Sequence, residues 1–124
     1  MAGKRSGNKH EMELRDFALA YPESHEDFPW GHRAIKVRKK IFVSMGSEEE
    51  FSMSVKLPES NMEALTMPFT EPTHYGMGKY GWVTARFELK KKPPLELLKD
   101  WIDESYRAIA PKKLIKVLDD EGED

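Results

Sequence analysis

Three period-2 stretches that follow one another between Ile35 and Leu57 constrain this chain more than any other feature. Ile35 and Val37 alternate with Ala34, Lys36 and Arg38. Ile41, Val43 and Met45 alternate with Phe42 and Ser44. Phe51, Met53, Val55 and Leu57 alternate with Ser52, Ser54 and Lys56. Successive strand residues point to opposite faces, so each stretch reads as a strand with one apolar and one mainly polar side. The connections at Lys39-Lys40 and at Gly46 to Glu50 are too short for crossovers and require antiparallel pairing. A further strand runs from Trp82 to Leu89, with Val83, Ala85, Phe87 and Leu89 on one side and Trp82, Thr84, Arg86 and Glu88 on the other.

A sheet with one apolar face needs a cover. From about His10 to Ala20, the positions Leu14, Phe17, Ala18 and Tyr21 form the stripe of a core-facing helix, which Pro22 stops. A second helix is expected from Pro58 through Met67. A third carries Leu95, Leu98, Ile102, Tyr106 and Ile109 on one face with Trp101 beside them, and Pro111 terminates it. Residues 23–28 read as a short strand, Phe28 to Gly31 as a stiff connector, and Phe69 to Tyr80 as irregular. The fold class is α+β: an antiparallel sheet with helices packed on one face, the other face left to water or to a partner.

At 124 residues this is one domain's worth of chain. Residues 1–9 are aperiodic and read as an arm, 10–117 as the domain and 118–124 as an acidic tail. Cysteine is absent, which excludes disulfide scaffolds and thiol chemistry. No apolar run approaches a membrane span, and the first residues lack a secretory apolar segment. The expectation is a cytoplasmic monomer without membrane contact.

Candidates for catalysis are thin. His10, His25, His32 and His74 are scattered, with no pair at helical spacing. The serines lack the strand-to-helix setting that exposes a nucleophile. Gly76, Gly78 and Gly81 spell a dinucleotide fingerprint, but a strand follows them where the fingerprint requires a helix. Those glycines read better as positions of close backbone approach. No enzyme activity, metal or cofactor is expected.

Charge offers more. The five negatives of residues 119–124 exceed the net charge of −2, so the rest of the chain is net positive. Arg33, Lys36, Arg38, Lys39 and Lys40 lie in a run free of anions, and Arg86 is followed by Lys90, Lys91 and Lys92. Paired as read, the strands put Lys36, Arg38, Lys56 and Arg86 on the side that also bears Phe42, Trp82 and Thr84. Cations for phosphates and rings for bases are a recipe for nucleic-acid contact. Alternatively, residues 69–80 or the 28–30 connector cover those rings.

Asp27-Phe28-Pro29-Trp30-Gly31-His32, Ile35-Lys36-Val37, Lys40-Ile41-Phe42 and Ser54-Val55-Lys56-Leu57 resemble the MmcQ/YjbR family of small bacterial proteins. So do Gly78-Lys79-Tyr80-Gly81-Trp82-Val83, Asp103-Glu104-Ser105-Tyr106 and Ala110-Pro111-Lys112-Lys113. The resemblance covers about Phe17 to Leu114. It implies a fold like that of CyaY, the bacterial frataxin, and the label of a DNA-binding protein gripping through a "double wing" of strand hairpins. The wings would be the hairpins around Arg38-Lys39-Lys40 and around Gly46 to Glu50, the latter with three glutamates that repel phosphate. A frataxin-like acidic ridge is not matched, because Glu11, Glu13 and Asp16 on the first helix are interleaved with Arg15.

Within these motifs Trp30, His32, Lys36, Lys56, Lys79, Tyr80 and Trp82 stand outside the apolar periodicity. They line a pocket for an anion, or they form a network in which Asp27 or Asp103 neutralises the lysines. The expected function is non-enzymatic, weakly sequence-selective DNA binding. Arg33, Lys36, Arg38, Lys39, Lys40, Lys56, Lys79 and Arg86 would meet phosphates, with Trp30, His32, Tyr80 and Trp82 as pocket or stacking groups. The alternative is a small-anion or protein-binding module using the same face and the Gly76–Gly81 loop.

Overall fold

The computed structural model of the chain describes residues 8–29, 31–74 and 77–122. Helix α1 (Lys9–Leu19) leads into β1 (Ser24–Asp27), β2 (Arg33–Val37), β3 (Lys40–Ser47) and β4 (Glu50–Lys56). A short α2 (Asn61–Ala64), β5 (Thr70–Pro72) and a 3-10 turn (Met77–Tyr80) precede β6 (Trp82–Glu88). Helices α3 (Leu95–Ile109) and α4 (Lys112–Gly122) close the chain. The strands form one antiparallel sheet in the order β1-β2-β3-β4-β6-β5.

One face carries the core. Ile35, Val43, Met53, Val55 and Val83 are buried there beneath Leu14 and Ala18 of α1 and Leu98, Ile102 and Tyr106 of α3. α1 begins where the Asn8 side chain accepts the Glu11 N–H at 2.8 Å, one of the otherwise orphaned donors of a helix start.

The alternation of β3 breaks at one point. Ile35 faces Val43 but Lys36 faces Ile41, leaving Phe42 as the extra residue of a bulge. Phe42 therefore lies in the core, 0% exposed, its ring 5.1 Å from that of Tyr106. The expectation that Phe42 shares the polar face with Trp82 is corrected: a one-residue insertion reverses the side of every residue on one flank. Ile41 occupies the uncovered face instead.

The Asp103-Glu104-Ser105-Tyr106 block fastens α3 to this framework. The Ser105 hydroxyl donates to the Phe42 carbonyl at 2.5 Å and accepts from the Lys56 N–H at 2.9 Å. Tyr106 donates to the Pro22 carbonyl. Asp103 accepts from the Tyr21 hydroxyl at 2.6 Å, and burial, with that carboxylate beside it, pushes the phenol up. Glu104 accepts the N–H groups of Glu59 and Ser60 and the Ser60 hydroxyl. Asp103 thus serves Tyr21 and Arg107 rather than any candidate lysine.

Three elements differ from the sequence expectation. The helix expected over 58–67 shrinks to α2, since Thr70 donates its hydroxyl to the Ala64 and Met67 carbonyls and turns the chain into β5. β5 pairs Thr70 with Ala85 where an irregular stretch was expected; three residues are too few to show a period. Pro111 ends α3 and also precedes α4, so the boundary drawn at 117/118 falls inside a helix. Leu114 is buried there, and Asp119 meets Arg107 at 2.9 Å. No helix among the described residues is long and apolar enough to cross a membrane.

Candidate functional site

The cations singled out by the sequence divide sharply once folded. Arg33 lies on the core side of β2, 3% exposed. Its Nε donates to Glu11 at 2.7 Å, another guanidinium nitrogen bonds Glu26, and the group lies over the Phe28 ring. Arg15 of α1 also binds Glu26 at 2.9 Å, while the Ser47 hydroxyl donates to Glu11. Held by Arg15 and then Arg33, the Glu26 carboxyl sits below the usual glutamate range. Arg33 is thus a tie between α1 and three strands, and its placement in a phosphate footprint is corrected by its burial.

Three more cations are engaged at the surface. Lys36 meets Asp27 at 3.0 Å, and this contact, with the Phe28 N–H, lowers the Asp27 carboxyl. Arg38 binds Glu23 at 2.7 Å. Arg86 bridges Glu71 at 2.8 Å and Glu50 at 3.1 Å. Each such guanidinium or ammonium presents a neutralised pair to an approaching anion.

Lys39 and Lys40, at the β2–β3 hairpin, are different. Both are exposed, and neither has an ion-pair partner among the described residues. Beside them an open groove of about 660 Å³ is lined by Val37, Arg38, Ile109 and Pro111. The chain leaving Pro111 enters α4 with Lys112 and Lys113, followed by Lys116, all exposed and likewise without an ion-pair partner among the described residues. These three lysines were missed by sequence reasoning. The signal was present in Ala110-Pro111-Lys112-Lys113, where proline at a helix start is as natural as at a helix end. The charges of α4 also oppose its dipole, with lysines in the first turn and Asp119 and Asp120 near the end.

Of the remaining candidates, His32 and Trp82 line one groove across the sheet, and Tyr80 is not in its lining. Lys56 and Trp82 are cross-strand neighbours on the uncovered face, near the same end of the sheet as Lys39. Lys79 and Tyr80 lie in the 3-10 turn before β6, Tyr80 63% exposed. His32 lies towards the opposite end, 3.9 Å from Glu48, with its ring so close to Gly46 that a Cβ there would come within 2.5 Å of Nδ1. Trp30 lies outside the described residues, as does Gly76. Gly81 has φ +92°, with the Leu57 carbonyl 3.3 Å from where a Cβ would sit, and a Cβ on Gly78 would lie 2.7 Å from Pro72. Both glycines answer to backbone packing. Among the described residues no three His, Asp or Glu side chains are grouped so as to hold a metal ion.

A family model described as YjbR matches residues 19–108. Among solved structures the chain is similar to Deinococcus radiodurans protein DR2400, domain DUF419. The identity is 25%, over 82% of this chain and 78% of that one, with a TM-score of 0.67. A protein from Pseudomonas syringae shares the fold at 18% identity, over 82% of this chain and 97% of that one, with a TM-score of 0.62. No curated protein matches.

Proposed function

The chain belongs to the YjbR family, and from that premise we propose that it is a non-enzymatic binding protein for duplex DNA, held by its phosphate backbone. The contacts are Lys39 and Lys40 of the β2–β3 hairpin with Lys112, Lys113 and Lys116 of α4. The observation that carries the reading is the uncompensated state of these lysines, in contrast to the paired Lys36, Arg38 and Arg86. Phosphate contacts carry no sequence information, so binding is weakly selective.

A grip by two hairpins is disfavoured. β3 is eight residues long, so the hairpins at its ends stand roughly 27 Å apart at ~3.4 Å per residue. The far hairpin bears Glu48, Glu49 and Glu50, which repel phosphate. The reading is therefore of one hairpin and one helix start acting together.

Five phosphate contacts give a salt slope of about −4.5, so affinity should fall about 500-fold between about 50 and 200 mM salt. An amide NMR titration with a short duplex at both concentrations tests this. Shifts at 38–40 and 109–116 that fade at the higher salt are expected, and Lys39→Gln with Lys40→Gln should reduce the slope by about 2. Shifts absent from these segments, or a slope near zero, would overturn the proposal.

A further inference from the structure

The sheet face away from the helices, where Ala34 and Thr84 are nonetheless buried, holds a groove that DNA contact at the hairpin end does not use. Its floor is a row of small residues crossing the sheet, Ala34 opposite Ser44, Ser44 opposite Ser54, and Ser54 opposite Thr84. Pro29, Ile41 and Trp82 stand as apolar walls around about 280 Å³. That volume approaches the lower bound of ligand pockets, ~300 Å³, and suits one or two fused rings. The bulge at Phe42 creates the shape, since it turns Ile41 outward.

The hydroxyls of the floor bond chiefly to one another. Thr73, Thr84 and Ser54 form a hydroxyl chain with contacts of 2.9 and 2.8 Å. Three hydroxyls bring three protons to two bonds, so one end of the chain keeps a proton to donate and the chain can run in either direction. The Ser44 hydroxyl makes no hydrogen bond among the described residues. His32 and the carboxylate-bound Arg33 also line the groove. Lys56 is outside the lining but cross-strand to Trp82, and it has no ion-pair partner among the described residues, whereas Lys36 is held by Asp27.

We infer that this groove binds a small planar aromatic carboxylate. The ring lies against Trp82 and Ile41, its edge meets the Ser44 and Ser54 hydroxyls, and the carboxylate meets the Lys56 ammonium. A flat apolar wall, adaptable hydroxyls and one unpaired cation at the rim together select that combination over an aliphatic or a cationic ligand.

The test is an amide NMR titration with 2-naphthoate and with its neutral counterpart 2-naphthamide. Both should shift residues 41, 44, 54, 82 and 84, with the acid roughly threefold to fivefold tighter, the gain an exposed ion pair supplies. Lys56→Gln should erase the difference between the two probes and leave the amide's affinity unchanged. Ala34→Leu, at a buried position of the floor, should weaken both at least tenfold while the amide signals of α1 and α3 keep their native positions. Absence of shifts at these positions would overturn the proposal. So would equal affinities in the unaltered protein, or naphthoate shifts confined to 38–40 and 109–116. The last result would leave the DNA reading intact, and loss of duplex binding alone would leave this one intact.

Discussion

Arg33 and Lys40 belong to the same run of cations and have opposite fates. Arg33 is enclosed between Glu11, Glu26 and the Phe28 ring, whereas Lys40 projects from a hairpin without an ion-pair partner among the described residues. Charge counted along a chain is therefore not charge offered to a partner. What decides is position along the sheet: Arg33 lies where Glu11 of α1 and Glu26 of β1 both reach it, whereas Lys40, opposite Val37 on the same side, sits at the hairpin end beyond them. Stability and recognition draw on one composition from two places.

The largest effect that would break this contrast is at Arg33. Arg33→Ala leaves the Glu11 carboxylate buried and short of its partner, at a cost of about 3–5 kcal/mol in urea unfolding. Lys39→Ala with Lys40→Ala should change stability by less than about 0.5 kcal/mol. Comparable losses in the two variants would erase the distinction.

Acid sharpens it next. Because Arg15 and Arg33 hold the Glu26 carboxyl below its ordinary value of 4.5, the stabilisation is complete above that value and drains as pH falls beneath it. Urea midpoints measured from pH 7 downward should drop steeply below that point, and Glu26→Gln should flatten the drop. An acid limb of unchanged slope in the variant would place the loss elsewhere.

The smallest effect concerns Arg38, intermediate between the two regions. It sits at φ 59° and pairs with Glu23, itself at φ 57°. Arg38→Gly relieves about 1 kcal/mol of backbone strain and forfeits an exposed ion pair worth up to about 1 kcal/mol, so thermal unfolding should barely move. Arg38→Val adds a β-branch to the same backbone and should cost about 1–2 kcal/mol. Equal melting temperatures for the two variants would deny the strain.

Much of the fold was legible because the apolar residues repeat. The stripe Leu14, Ala18 and the stripe Leu98, Ile102, Tyr106 needed only helical spacing, and Phe51, Met53, Val55 only alternation. Phe42 was misplaced because a bulge is a relation between two strands, and β3 alone contains nothing to reveal it. The same holds for the site. Lys36–Asp27 is the neutralising pair that the network alternative named, whereas Arg86–Glu50 joins two strands and was not foreseen, so the sequence presented a free cation where the fold presents a pair. Lys112 and Lys113 were overlooked for a local reason, since Pro111 was read only as a stop.

An open sheet must also avoid its own kind, and here both rims are guarded. β1 is four residues long, His25, Glu26 and Asp27 among them, with Arg15 reaching across to Glu26. β5 is three residues long and ends at Pro72, whose nitrogen has no hydrogen to offer a neighbouring strand. Short, charged and proline-tipped borders discourage edge-to-edge stacking of copies into larger sheets. The same borders set the width of the sheet: growth past β1 or β5 would have to begin on a strand of four or three residues.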